Sequence, residues 1–175
     1  TNSGSITGTS AVGGIVGQLQ DASLSGTGER HQITNTGAVT GGGVGGIIGS
    51  VYLTTGGNFK YSYLENKGTI LNDETPEGSS GYTGGVIGSI NYKGNNTSNV
   101  TVSYVINDAN VTSNAAPNTG GVIGSWGRSA DKVQSAGTMT YVVNNNTSGT
   151  AKVKGVSCVG GVIGLLDNKD VTYIV

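Results

Sequence analysis

Of 175 residues, 33 are glycine, two are proline and 11% are charged, with a net charge near −1; without a Gly-X-Y period or abundant proline the chain is not collagen. An apolar fraction of 34%, gathered into clusters of Val and Ile, argues against a disordered tract. Nine basic against ten acidic residues, thinly spread, form no phosphate-binding stripe, so nucleic acid is not an expected partner. Gly, Ser, Thr and Asn mixed with β-branched residues predict strands joined by many turns, hence an all-β chain. The longest apolar run, Cys158 to Leu166, contains three glycines and falls short of the roughly 18 to 20 residues of a spanning helix, so no membrane insertion is expected of this segment.

The chain opens on Asn2-Ser3-Gly4-Ser5-Ile6-Thr7-Gly8 and continues into Val12-Gly13-Gly14-Ile15-Val16-Gly17, then closes a first unit with Gln32-Ile33-Thr34. The same three elements recur. Asn35-Thr36-Gly37-Ala38-Val39 leads to Gly45-Gly46-Ile47-Ile48-Gly49 and Tyr63-Leu64-Glu65; Asn66-Lys67-Gly68-Thr69-Ile70 leads to Gly84-Gly85-Val86-Ile87-Gly88 and Tyr104-Val105-Ile106. In the fourth unit Asn107-Asp108-Ala109 has Ala for Gly, and Gly120-Gly121-Val122-Ile123-Gly124 and Tyr141-Val142-Val143 follow. The fifth opening is blurred across Asn144 to Gly155, before Gly160-Gly161-Val162-Ile163-Gly164 and Tyr173-Ile174-Val175. The first glycines of the pairs are 32, 39, 36 and 40 residues apart, a drift that suits a constant frame carrying loops of unequal length.

Five such units predict one domain over residues 1–175, an elongated parallel β-helix or β-solenoid with repeats near 1–34, 35–65, 66–106, 107–143 and 144–175. Five coils at about 4.8 Å each give a core about 24 Å tall. The middle residue of each closing triplet, Ile33, Leu64, Val105, Val142 and Ile174, is aliphatic and reads as an inward column. Two consecutive aliphatic residues after each Gly-Gly cannot share one face of a strand, so either the sheet is covered on both faces there or the second residue sits where the chain turns a corner, the reading that the flanking glycines favour. The glycines are expected to permit the bend through positive φ or through close backbone packing. The Asn column reads as structural, its amides forming a hydrogen-bonded ladder. Tyr63, Tyr104, Tyr141 and Tyr173 read as a second column, projecting outward beside the inward aliphatic residue. They form either a ladder covered by loops, the favoured reading, or an open aromatic strip for ligand or lateral contacts.

The combination Asn-x-Gly-x-Val-x-Gly followed by Val-Gly-Gly-Ile-Val-Gly resembles the GLUG repeat, with the closest match over residues 35 to 49 and a near match over 2 to 17. That resemblance implies a glycine-rich β-helical repeat of large secreted or surface-attached proteins, including bacterial adhesins and the non-catalytic regions of IgA-peptidase-like proteins.

Catalytic and metal-binding constellations are sparse. One His, His31, and one Cys, Cys158, leave no zinc cluster, no Cys-His pair with an orienting group and no internal disulfide, and no cofactor or metal is expected. His31 reads as a surface strand side chain. Gly41-x-Gly43-x-x-Gly46 satisfies a dinucleotide pattern, but no helix is expected after it, so it reads as a repeat turn. Asp73, Glu74 and Glu77 read as a solvated acidic loop. Asn-x-Ser/Thr triplets at Asn95, Asn96, Asn99, Asn110, Asn145 and Asn146 are glycosylation acceptors only in a secreted eukaryotic context, with Asn96, Asn99, Asn110 and Asn146 as the candidate positions.

Two roles fit this pattern. The first is a non-enzymatic extracellular or cell-surface module, a stalk or adhesive element. Its partners would be other repeats or copies of the same assembly, or a host or matrix protein or carbohydrate, met by the loops Val51 to Tyr61, Leu71 to Tyr82 and Tyr92 to Asn99. The second is a carbohydrate-active or carbohydrate-binding β-helix, which needs carboxylates close together on one groove; Asp131 and Asp167 follow their glycine pairs at similar offsets and are the pair to watch. The chain starts at Thr1 without an initiator Met or signal-like segment and is in phase with the repeat at both ends. It is therefore expected to be a length of a longer array, or to pair end to end into a filament.

Overall fold

A computed structural model describes residues 1–30, 32–74, 81–94, 96–128, 136–145, 152–167 and 170–174. The described residues contain strands and turns and no helix, and the strands stack into a parallel β-solenoid of five rungs, about four full turns. Each coil contributes to four sheets. Sheet I holds Ile6–Gly8, Val39–Gly41, Ile70–Asn72, Val111–Ser113 and Val153–Lys154; sheet II holds Val12–Gly13, Val44–Gly45, Tyr82–Gly84, Asn118–Gly120 and Val159–Gly160. Sheet III holds Val16–Gln20, Ile48–Leu53, Ile87–Tyr92, Ile123–Arg128 and Ile163–Leu166. Sheet IV holds Asn58–Asn66, Asn99–Asn107, Ala136–Asn144 and Asp170–Ile174, with the first coil supplying two short pieces, Leu24–Ser25 and Ile33–Asn35.

The register aligns aliphatic residues coil upon coil. Ile6, Val39, Ile70, Val111 and Val153 form one column in sheet I, and Val16, Ile48, Ile87, Ile123 and Ile163 form another in sheet III. Each residue buries its neighbour's flank, which a single coil could not do alone. The main core lies between sheets III and IV, where Val51, Ile90 and Trp126 meet Tyr61, Val102 and Met139. Its two largest polar rings are satisfied: the Trp126 Nε1–H donates to the Tyr92 hydroxyl at 2.9 Å, and the Tyr61 hydroxyl donates to the Ala22 carbonyl at 3.1 Å. Burial pushes the Tyr61 hydroxyl well above the usual phenolic range. A second, smaller cluster of Val12, Val39, Val44, Ile70 and Val111 fills the space between sheets I and II.

The corner expected after each Gly-Gly is present, one residue earlier than a turn at the second aliphatic position would place it. The first glycine ends the sheet II strand, the second glycine and first aliphatic residue make the bend, and the second aliphatic residue opens sheet III. Both aliphatic residues are buried in the three middle coils. One carbonyl per rung receives two donors there: Ile47 and Ile48 N–H both donate to Val86 O, and Val86 and Ile87 N–H both donate to Val122 O.

The paired glycines have a different cause from one of those anticipated. None of Gly13, Gly14, Gly45, Gly46, Gly84, Gly85, Gly120, Gly121, Gly160 or Gly161 lies in the left-handed region; close approach sets the requirement at all of them but Gly161, where an added Cβ would meet nothing within 4 Å. A Cβ on Gly45 would stand 1.9 Å from Ile48 O and 2.5 Å from Gly88 N, and one on Gly46 would stand 2.2 Å from Gly85 O. Backbone occupies the volume that a side chain would need.

The valine column of sheet II is interrupted. Val12 and Val44 are followed in register by Thr83 and Thr119 and then Val159. Both threonines are fully buried, and their Oγ1 atoms have no hydrogen-bond partner among the described residues. A buried hydroxyl without a partner is destabilising, and valine fills the same shape. Thr83→Val is therefore expected to raise stability by about 1 kcal/mol, seen as a higher denaturant midpoint at unchanged m-value.

Candidate functional site

In the strand Asn58–Asn66 the buried positions switch phase. Phe59 and Tyr61 are buried with Lys60 exposed between them, then Leu64 and Asn66 are buried. Alternation cannot shift by one unless a residue leaves the β conformation. That residue is Tyr63, at φ 55°, and the next two coils repeat it at Tyr104 (53°) and Tyr141 (50°). The left-handed backbone turns the three rings outward into one stack. Tyr63 and Tyr104 are nearly parallel with centroids 5.0 Å apart, and Tyr104 and Tyr141 follow at 5.5 Å with a 36° tilt. Tyr63 and Tyr104 are half-buried and Tyr141 is 51% exposed, so the favoured loop-covered ladder gives way to a partly open one.

Tyr173 does not belong to this column. Its strand pairs Tyr173 with Met139 and Ile174 with Thr140, two residues out of the expected register, so Ile174 does not continue the Ile33, Leu64, Val105, Val142 column either. In the first coil the strand breaks at the same place: Leu24–Ser25 pairs with Tyr61–Ser62 and Ile33–Asn35 with Leu64–Asn66, so residues 26–32 stand where the second coil has Tyr63 alone. His31 lies within that insertion, outside the described residues.

A non-glycine residue in the left-handed region costs about 1 kcal/mol or more, and a stacked aromatic pair returns a similar amount. Two substitutions separate these effects. Tyr104→Ala keeps the backbone strain and loses both ring contacts, whereas Tyr104→Gly loses the contacts and relieves the strain. The glycine variant is expected to be more stable than the alanine variant by about 1 kcal/mol in denaturant unfolding, with both below wild type.

The asparagine ladder runs through all five coils. Nδ2 of Asn2, Asn35, Asn66 and Asn107 donates in turn to Oδ1 of Asn35, Asn66, Asn107 and Asn144, at 2.8 to 2.9 Å. Each of the four donors also bonds a carbonyl two residues ahead, Gly4, Gly37, Gly68 or Ala109. Asn144 is thus the fifth member, which the blurred fifth opening had obscured. The ladder is internal: Asn35, Asn66 and Asn107 are fully buried, and each packs on the second glycine of the preceding unit, where a Cβ would meet the amide carbon at 2.4 to 2.6 Å. It crosses the interior where the two apolar clusters meet.

Two of the loops expected to meet a partner, Val51 to Tyr61 and Tyr92 to Asn99, lie between sheets III and IV, where the first three coils are also bonded rung to rung. Asp21 accepts from the Thr54 hydroxyl and from the Thr54 and Thr55 N–H groups, while Asn96 Nδ2 and Ser98 Oγ donate to the Thr55 carbonyl. The Thr54 hydroxyl first, and then the two N–H groups, lower the Asp21 pKa to about 2. A carboxyl whose folded pKa lies below its unfolded value of about 3.9 contributes stability above that value and loses it as pH falls toward the folded pKa. Thermal melts are expected to show a wild-type decline between about pH 4 and 2 that is shallower in Asp21→Asn.

The remaining sequence candidates are scattered. Asn96 is buried with its amide engaged, so it presents no nitrogen to a glycosyltransferase in the folded chain. Asn99 is exposed, its Nδ2 donating to Asn58 Oδ1 at 3.1 Å, and Asn110 is exposed and caps Lys152 N–H. Asn146, Asn95, Glu77 and Asp131 lie outside the described residues, so the Asp131 and Asp167 pairing is not placed; Asp73 and Glu74 are exposed. Gly41, Gly43 and Gly46 run from sheet I through sheet II into the corner, with Gly43 at φ 62° and no helix following. Cys158 carries an exposed thiol. Among the described residues no three His, Cys, Asp or Glu side chains gather as a metal site. Comparison with protein-family models, curated proteins and solved structures finds no match for this chain.

Proposed function

We propose that this chain is a structural or adhesive module of the cell surface or extracellular space, a rigid length of stalk in a larger assembly. The observation that carries this reading is the continuity of its ladders. The asparagine amides, the stacked tyrosines and four parallel sheets all run along one axis, so these groups hold one coil to the next. The resemblance of residues 35 to 49 to GLUG repeats of surface proteins agrees with it.

The test is geometric. One copy placed between a membrane anchor and a fluorescent reporter is expected to hold the reporter at one height, raised by about 24 Å for five rungs. A Gly/Ser linker of the same length would spread over about 70 to 80 Å. A broad height distribution for the folded chain would overturn the reading. Release of sugars from a polysaccharide panel would favour the carbohydrate-active alternative instead.

A further inference from the structure

The bend in sheet IV requires a left-handed residue, not an aromatic one. Glycine and asparagine enter that region at lower cost, as Gly43 does at φ 62° and Gly94 at φ 60°, yet three successive coils place tyrosine there. Backbone strain repeated in this way points to a use for the side chain. The hydroxyls of Tyr61 and Tyr92 are bonded within the core, whereas those of Tyr63 and Tyr104, in the middle coils, bond no partner among the described residues. Because Tyr63 and Tyr104 stack nearly parallel along the solenoid axis, they turn ring edges and hydroxyls outward, not ring faces.

The rest of this face has the same chemistry. Val100 and Val102 enter the core, so Thr101 between them points outward, and Thr138 and Thr172 continue its row in register. Thr101 and Thr138 are half-buried, and the exposed Asn58 and Asn99 form an amide pair at the start of their strands. Neither Asn99–Asn107 nor Ala136–Asn144 contains a charged residue. The polar groups here, phenol, threonine hydroxyl and amide, each both donate and accept. We infer that the outer face of sheet IV binds a neutral polysaccharide laid along the solenoid axis, its hydroxyls meeting Tyr63, Tyr104, Thr101 and Thr138.

Sugar hydroxyls share that dual capacity and carry no charge, whereas an anionic glycan or a nucleic acid would find no cation on these two strands. The strip is too small for a second copy. Its three coils of nine-residue strands, at about 4.8 Å between strands and about 3.3 Å per residue, cover about 430 Å², roughly half of the 800 Å² per partner of a stable interface. A chain one sugar wide fits it, and rows that recur at every rung add their contacts by avidity.

The inference rests on the adhesive side of the proposed role and names its ligand, but it is tested apart from the height measurement. Wild type is expected to be retarded on at least one affinity gel cast with dextran, mannan, xylan or galactan, by the same amount at low and high salt, and not on polygalacturonate or heparin. Tyr104→Phe keeps the stack and the backbone and removes only the hydroxyl; Thr138→Val does the same in the neighbouring row. Each is expected to weaken retention about tenfold with the β-sheet circular dichroism unchanged. Thr40→Val makes the same change on the outer row of sheet I, beside the buried Val39, and is expected to leave retention as it was. Absence of retention on every neutral gel, salt-sensitive retention on the acidic ones alone, or a loss in Thr40→Val equal to that in Tyr104→Phe would overturn the inference. So would dimers seen by light scattering without any glycan and lost in Tyr104→Phe, which would give the face to a second copy. A fixed reporter height alongside any of these results would leave the stalk reading standing.

Discussion

Gly84→Ala is expected to remove about 3 kcal/mol of stability, near the upper end of what overpacking does, because what it strikes is backbone on two sides. An added Cβ would lie 1.8 Å from Ile87 O in its own corner and 2.8 Å from Gly124 N in the next coil. A flexible side chain could swing away; a carbonyl held in a ladder cannot move without opening the rung above or below. Gly57→Ala supplies the control, since its Cβ would touch only the Phe59 ring at an ordinary 3.4 Å. A third variant separates close approach from backbone conformation as the cause. Asparagine tolerates the left-handed region, so if Gly84 were there for positive φ, Gly84→Asn would be milder than alanine. With steric exclusion as the cause, asparagine is expected to be at least as damaging. Denaturant midpoints for the three variants decide it, and a Gly84→Ala protein as stable as Gly57→Ala would show that the corner can open at little cost.

The glycine pairs also mark where sequence reading succeeds and where it stops. A feature repeated in every coil is legible because stacking multiplies it: the Gly-Gly-aliphatic corner, the Asn column and the Leu64, Val105, Val142 column all emerge from alignment of the chain with itself. The parallel all-β solenoid follows from them. What aligned positions do not report is the coil's own path. The left-handed tyrosines were missed as backbone features, although their signature is visible: Phe59 and Tyr61 keep odd parity while Leu64 and Asn66 keep even parity, and the neighbouring coil makes the same slip between Val102 and Val105. Tyr173 was misplaced because the triplet Tyr173-Ile174-Val175 resembles its predecessors locally, whereas register is set by where Asp170 joins Ala136. The Trp126 to Tyr92 bond and the buried serine column Ser50, Ser89 and Ser125 carry no local signal, since serine and tyrosine are as much at home on a surface as inside.

Asn66 sits at the centre of the internal ladder, and its loss is expected to cost about 3 to 5 kcal/mol, from several buried groups left without partners at once. It accepts from Asn35 Nδ2 at 2.9 Å and from Gly68 N–H at 3.2 Å, and donates to Asn107 Oδ1 at 2.9 Å and Gly68 O at 2.8 Å. Asn66→Ala removes all four contacts and leaves a void against Gly46. Asn2→Ala, at the partly exposed first coil, is expected to cost about 1 kcal/mol, because water can replace what its amide gave. The sharper variant is Asn66→Asp. Its carboxylate still accepts from Asn35 and Gly68 N–H, but it now faces Asn107 Oδ1 and the Gly68 carbonyl with a buried negative charge and no proton to share. Desolvation and opposed acceptors raise the folded pKa of such a group above its unfolded value. A carboxyl of that kind contributes its stability below the unfolded pKa and loses it as pH rises through the folded one. Asn66→Asp is therefore expected to be severely destabilised at pH 7 and to recover on acidification toward pH 4, where the protonated carboxyl can donate along the ladder as the amide did. Chemical unfolding of both variants across that range is the measurement. An aspartate variant whose deficit relative to wild type stays constant with pH would mean that position 66 meets water, and that the ladder is not the internal spine these distances describe.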